Sequence, residues 1–168
     1  MNTAEIEIIL KDSLSPTRTT FLGVFPRDRI PVYESLTHFP CSFVANTDPD
    51  GEPGTHWVAF YLESAQHVEF FDSYGSPPEE YKFSNQSVVH YNTHQFQDFS
   101  SNVCGQYTIY FVHHRSRSDT IHSVIDRMRK WGRFADHCVK IFVDNLIKSR
   151  ILHLPTQRTA QTCKCRSK

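Results

Sequence analysis

The stretch Gln97-Asp98-Phe99-Ser100-Ser101-Asn102-Val103-Cys104-Gly105-Gln106-Tyr107 decides how the rest of the chain is read. A polar loop runs into an apolar segment, with a cysteine at the junction. Val103, Tyr107, Tyr110 and Phe111 recur at helical spacing, and Ser101 or Asn102 stands just ahead as an N-cap. The spacing predicts a helix opening at Cys104. A thiol in that first turn lies among backbone N–H groups without intrahelical partners, at the positive end of the helix dipole, and both favour the thiolate. A small buried cysteine closing a core helix is the plainer reading of the same residues. Other parts of the chain decide between them.

The segments His56-Trp57-Val58-Ala59-Phe60-Tyr61-Leu62 and His67-Val68-Glu69-Phe70-Phe71-Asp72 are rich in aromatic and β-branched residues and read as strands. Glu63-Ser64-Ala65-Gln66 joins them, a connection short enough for an antiparallel hairpin. With Leu62 facing Gln66, His56 falls directly opposite Asp72 on one face. A register one residue longer keeps them neighbours and changes the facing. Taken alone, this is a surface His–Asp pair at a strand end.

Around these segments the chain is regular. Ile6, Ile9 and Leu10 predict an amphipathic helix over residues 3–11, and Cys41–Asn46 predicts a first core strand. Residues 21–31, broken by Gly23, Pro26 and Pro31, read as extended chain and loop, and 46–54 as a surface loop dense in turn formers. Glu79–Phe83 reads as a short helix and 87–92 as a further strand. The cysteine helix should run to about Arg115. Two more helices follow, one capped by Ser118 with a stripe of Ile121, Val124, Ile125 and Met128, the other over 135–149.

At 168 residues the chain suits one domain, expected over 1–154, followed by a basic and disordered tail at 155–168. Net charge is zero, yet Lys148, Arg150, Arg158, Lys164, Arg166 and Lys168 follow Asp144 with no acid among them. That basic end would suit nucleic acid or an acidic partner. No apolar run reaches membrane-spanning length and no signal peptide is recognised, so a soluble, non-secreted, intracellular protein without membrane contacts is expected. Five scattered cysteines do not suggest a disulfide framework. Neither Cys163-Lys164-Cys165 with His153, nor His113-His114, whose side chains diverge by about 100°, has the spacing of a metal site. No metal or other cofactor is expected.

Histidine, aspartate and cysteine thus follow in that order, with Gln97 seven residues before Cys104. Thiol-based acyl transfer needs these four roles: a nucleophile, an imidazole to move its proton, a carboxylate to hold the imidazole, and an oxyanion donor.

Three runs together, Gly54-Thr55-His56-Trp57-Val58-Ala59-Phe60, Phe71-Asp72-Ser73-Tyr74-Gly75, and Gln97 with Val103-Cys104-Gly105-Gln106-Tyr107, resemble the adenovirus-type cysteine endopeptidases (adenain-like). These are similar in turn to the proteases of SUMO and related modifiers. The resemblance spans residues 31–112. The Pro-Cys-x-Phe-x-x-Asn-Thr-Asp-Pro run from Pro40 to Pro49 is similar to versions in adenovirus-like viruses and Maverick or Polinton transposons.

The resemblance implies an α+β fold of the papain-like cysteine protease superfamily, circularly permuted, with a central, mostly antiparallel sheet against a buried cysteine-bearing helix. It implies His56 as general base, Asp72 as orienting acid, Cys104 as nucleophile and Gln97 as oxyanion donor beside the Cys104 N–H. Gln95 matches Gln97 in residue type but not in spacing. Trp57 and Gly105 become the expected substrate contacts, with Trp57 lining a passage for glycine. The adenovirus enzyme carries Glu where this chain has Asp72, whereas the SUMO-type enzymes carry Asp. A monomeric endopeptidase cutting Gly-containing sites in capsid or virion precursors follows, acting in the host nucleus, cytoplasm or virion, with DNA and an activating peptide as possible partners. A protease for a ubiquitin-like modifier, and a catalytically silent DNA-binding or scaffold protein, are the alternatives.

Overall fold

A computed structural model describes residues 1–83 and 90–153, the last four by backbone only. The expected tail, with Cys163 and Cys165, lies outside the described residues, as does the 87–89 part of the expected strand. Among the described residues five strands form one mixed sheet in chain order: β1 (Thr20–Phe25), β2 (Cys41–Asn46), β3 (Trp57–Ser64), β4 (His67–Phe71) and β5 (His90–Tyr91). The middle pairs, β2–β3 and β3–β4, are antiparallel; β1 and β5 flank them in parallel. β1 is the segment expected as irregular chain. Its glycine adopts φ +128°, and the ladder to β2 shifts register around it, so Gly23 interrupts the pairing without ending the strand.

Both sheet faces are covered, which is why β2 is buried at every position. On one face Phe43, Phe60, Phe70 and Tyr33 pack together. Against the other lie the helices α1 (Thr3–Leu14), α2 (Cys104–Arg115), α3 (Ile121–Trp131) and α4 (Ala135–His153). α1 starts with a capping box, Asn2 and Glu5 each bonding the other's backbone N–H. α3 is capped by Thr120, not Ser118; Ser118 is in left-handed backbone geometry at φ 70° and belongs to the preceding turn. Among the described residues no helix is long and apolar enough to cross a membrane.

α2 is the central helix, buried around most of its circumference. Phe111 stacks on Phe71 of β4, ring centroids 4.7 Å apart, which ties the helix to the strand one residue before Asp72. Its last residue, Arg115, is 4% exposed. Its guanidinium bonds Glu69 twice, at 2.5 and 3.0 Å, meets Glu63 at 2.9 Å and the Asp119 carbonyl, and lies 4.2 Å over the Tyr61 ring. A charge so buried is tolerated because each face of it is paired.

The hairpin turn is tighter than the four-residue connection expected. β3 continues to Ser64, which pairs with His67, and only Ala65-Gln66 turn the chain. A bulge then leaves Glu63 unmatched, because Leu62 pairs with Val68. Beyond the bulge Ala59 pairs with Phe71, so the direct His56–Asp72 opposition expected from counting does not occur. Extending the ladder sets Tyr74 across from His56, and Asp72 one diagonal step away on the same face.

Candidate active site

Cys104 is the first residue of α2 and is 5% exposed. Neither Ser101 nor Asn102 caps the helix; Val103 occupies that position and makes no side-chain cap bond. The loop is held instead by Asp98, which accepts from the Ser100 N–H and hydroxyl at 2.8 and 2.7 Å and from the Ser101 N–H through its carbonyl at 3.0 Å. The first-turn N–H groups of α2 therefore stay free of a capping side chain. One of them, that of Gly105, points to the Cys104 sulfur, and the Trp57 N–H does so from β3.

His56 stands one residue before β3, with its carbonyl bonded to the Thr47 N–H at 3.0 Å. Its Nε2 lies 2.6 Å from Asp72 Oδ1, which assigns the proton to Nε2 and leaves Nδ1 for the hydrogen bond to Cys104. The ring stacks on Tyr74 at 4.8 Å and lies 6.0 Å from Tyr81. Asp72 is wholly buried and fully engaged. Oδ1 also accepts from the Tyr74 N–H at 3.1 Å, and Oδ2 accepts from the Ser76 N–H and the Tyr81 hydroxyl, both at 2.9 Å.

The Asp72 backbone is clamped in turn by Asn92, whose amide oxygen accepts its N–H at 2.9 Å and whose nitrogen donates to its carbonyl at 2.6 Å. Gly75 closes the turn at φ 75°, where a Cβ would come within 2.9 Å of the Thr93–His94 backbone. Only glycine fits there.

Burial alone would push the Cys104 thiol up, but the bond to His56, the charge of that ring and the Trp57 and Gly105 N–H groups together hold it below its ordinary value. Burial pulls the His56 imidazole down, yet its bonds to Asp72 and to Cys104 and both of their charges raise it to about 9. Both shifts favour a thiolate facing an imidazolium over the neutral pair. Cys41 is the contrast: buried without such a partner, it is pushed up to about 11.

Gln97 is buried beside this group. Its Oε1 accepts from the Ser73 hydroxyl at 2.7 Å and its Nε2 donates to the Ser101 carbonyl at 2.9 Å. An amide nitrogen carries two N–H groups, so one remains for another acceptor. Gln95 donates to the Gln97 carbonyl at 2.9 Å and so braces it from behind. Trp57 is half-buried, with its indole N–H enclosed and without a partner. Gly105 turns its open side to α1: a Cβ there would meet Ile6 at 3.1 Å and Met1 at 3.3 Å.

The structure brings His56, Asp72, Gln97 and Cys104 into one site. Tyr81 and Asn92 were not singled out from the sequence, and Ser73 and Tyr74 stood in a quoted run without a role of their own. Only the hairpin register and the path of the chain after Asp72 place them here. Among the described residues no group of three or more His, Cys, Asp or Glu is placed to hold a metal ion. His113 bonds Ser13 at 2.6 Å, whereas His114 faces Asp119 and Arg127, so the adjacent imidazoles turn to different partners.

No protein-family profile matches the chain, and no curated protein matches it. Solved structures do. The central domain of the uncharacterized Lpg1148 protein from Legionella pneumophila aligns at TM-score 0.55 and 15% identity, covering 90% of this chain and 97% of that one. The ASFV pS273R protease aligns at 0.50 and 18%, covering 82% and 66%. The fold resembles a known protease. A third similar structure, the yeast Ulp1 protease domain in complex with Smt3, aligns at 0.49 and 15%, covering 87% and 78%. The α+β architecture, a mixed sheet packed against helices, is thus similar to that of the ASFV pS273R protease.

Proposed function

We propose that the protein is a cysteine endopeptidase that cuts at Gly-containing sites and matures virion precursor proteins. The observation that carries peptidase chemistry is His56, bonded on one side to buried Asp72 and on the other to a thiol at the free N-terminus of a helix. The thiolate of Cys104 attacks the substrate carbonyl carbon. The carbonyl oxygen gains the negative charge and is met by the Cys104 N–H and the remaining N–H of Gln97. As the C–N bond breaks, His56 gives its Nδ1 proton to the leaving amine, and the acyl group stays on sulfur as a thioester. Water, deprotonated by the now neutral His56, hydrolyses it and restores the thiol pair.

Choice of glycine fits a nucleophile that is nearly covered: a site around a cysteine only 5% exposed admits a slender backbone more readily than a branched residue. The virion substrate rests on the adenain-like runs around His56, Asp72 and Cys104. Asp72 in place of Glu favours the second reading, a protease of a ubiquitin-like modifier. Incubating the protein with capsid-precursor peptides and with modifier conjugates separates the two readings by which is cut. Cys104→Ala should abolish all cleavage, and unchanged cleavage would overturn the assignment.

A further inference from the structure

We propose that Tyr74 and Phe99 form the subsite for the residue that follows the scissile bond, and that it takes an aromatic or large aliphatic side chain. This rests on the peptidase reading above. Three rings run outward in one stack: His56 on Tyr74 at 4.8 Å and 30°, and Tyr74 on Phe99 at 5.4 Å and 22°. The innermost ring is buried, whereas Phe99 is 77% exposed, the most exposed large apolar side chain among the described residues. Single exposed apolar residues are commonplace on protein surfaces, so exposure alone means little. Position distinguishes this one.

Phe99 stands between Gln97 and Cys104 in a loop that Asp98 braces at both Ser100 and Ser101, and that Asp136 of α4 holds through the Asp98 N–H at 3.4 Å. The ring is therefore offered to solvent already fixed, which lowers the entropy lost when a ligand packs on it.

Chemistry fixes which part of the substrate lies there. The imidazole must hand its proton to the leaving nitrogen, and that nitrogen belongs to the residue after the broken bond. That residue leaves past the imidazole and past whatever is stacked on it, on the side of the loop that carries the oxyanion donor. The outer face of the stack is apolar and aromatic, matched by an aromatic or large aliphatic side chain.

The test uses peptides with one acyl part ending in Gly, followed by Gly, Ala, Leu or Phe, and the methyl ester of the same acyl part, which has no residue after the bond. The wild-type protein should cleave the Leu and Phe peptides fastest. Phe99→Ala should lower kcat/KM roughly tenfold for those two, and less than twofold for the Gly peptide and the ester, and Phe99→Trp should restore it. Equal losses on all substrates, or a wild-type protein indifferent to that residue, would overturn the subsite and leave the peptidase intact. No hydrolysis of any peptide or of the ester would overturn both.

Discussion

His56 meets Asp72 through Nε2, at 2.6 Å, and so presents Nδ1 to Cys104. The carboxylate fixes both the tautomer and the direction of the ring, and its own oxygens are held by Tyr74, Ser76 and Tyr81. Asp72→Asn keeps the shape but removes the charge that stabilises an imidazolium. Peptide kcat/KM should fall on the order of a hundredfold to ten-thousandfold, mostly in kcat. Steady-state kinetics checks this; a loss under tenfold would show that Asp72 does not orient the base.

The reactive form needs Cys104 deprotonated and His56 protonated. Since the thiol is held below its ordinary value and the imidazole is raised to about 9, this form is bounded on the acid side by the lowered Cys104 ionisation and on the alkaline side by loss of the His56 proton at about pH 9. Activity should rise as pH climbs through the Cys104 ionisation and fall as it passes the His56 ionisation. Labelling with iodoacetamide at pH 7, followed by mass spectrometry, should mark Cys104 well ahead of Cys41. In His56→Ala, burial is opposed only by the Trp57 and Gly105 N–H groups, and the labelling midpoint should move up. Equal labelling of both cysteines in the wild-type protein would refute an activated thiolate.

Arg115→Met strands the Glu69 carboxylate, 3% exposed, without its cation. Breaking a buried pair from one side costs roughly 3–5 kcal/mol. Urea unfolding should show a correspondingly lower midpoint with an unchanged slope, and adding Glu69→Leu should recover most of the loss. A single variant as stable as the wild type would mean that water reaches Glu69 after all.

How far the sequence carries depends on which residues carry the information. Helix α2 was legible because its apolar residues recur at helical spacing, and strands β3 and β4 because they are rich in aromatic and β-branched residues. The four polar residues His56, Asp72, Gln97 and Cys104 were picked out as types that one chemistry requires, and of these the structure sets His56 against both Asp72 and Cys104. Strand β1 was not, since Gly23 reads as a breaker in sequence, whereas here the ladder steps around it. The caps at Cys104 and Ile121 were misplaced by one or more residues, because several Ser, Thr and Asn side chains compete at each helix start and only the fold selects among them. Tyr74 and Tyr81 depend on hairpin register and on the turn after Asp72, neither of which local composition encodes.

The bulge at Glu63 has a consequence for how this site can change over time. Side chains on a strand alternate, so a pairing moved by one position exchanges its two faces. If the Ser64–His67 pairing at the turn ran on without interruption, His56 and Asp72 would project from opposite sides of the sheet. The unmatched residue restores parity before the strands reach the site, and it is Glu63, tied at 2.9 Å to the last residue of the helix that Cys104 begins. Insertions and deletions in this hairpin are in effect quantised: steps of two preserve the acid–base pair, and single steps abolish it.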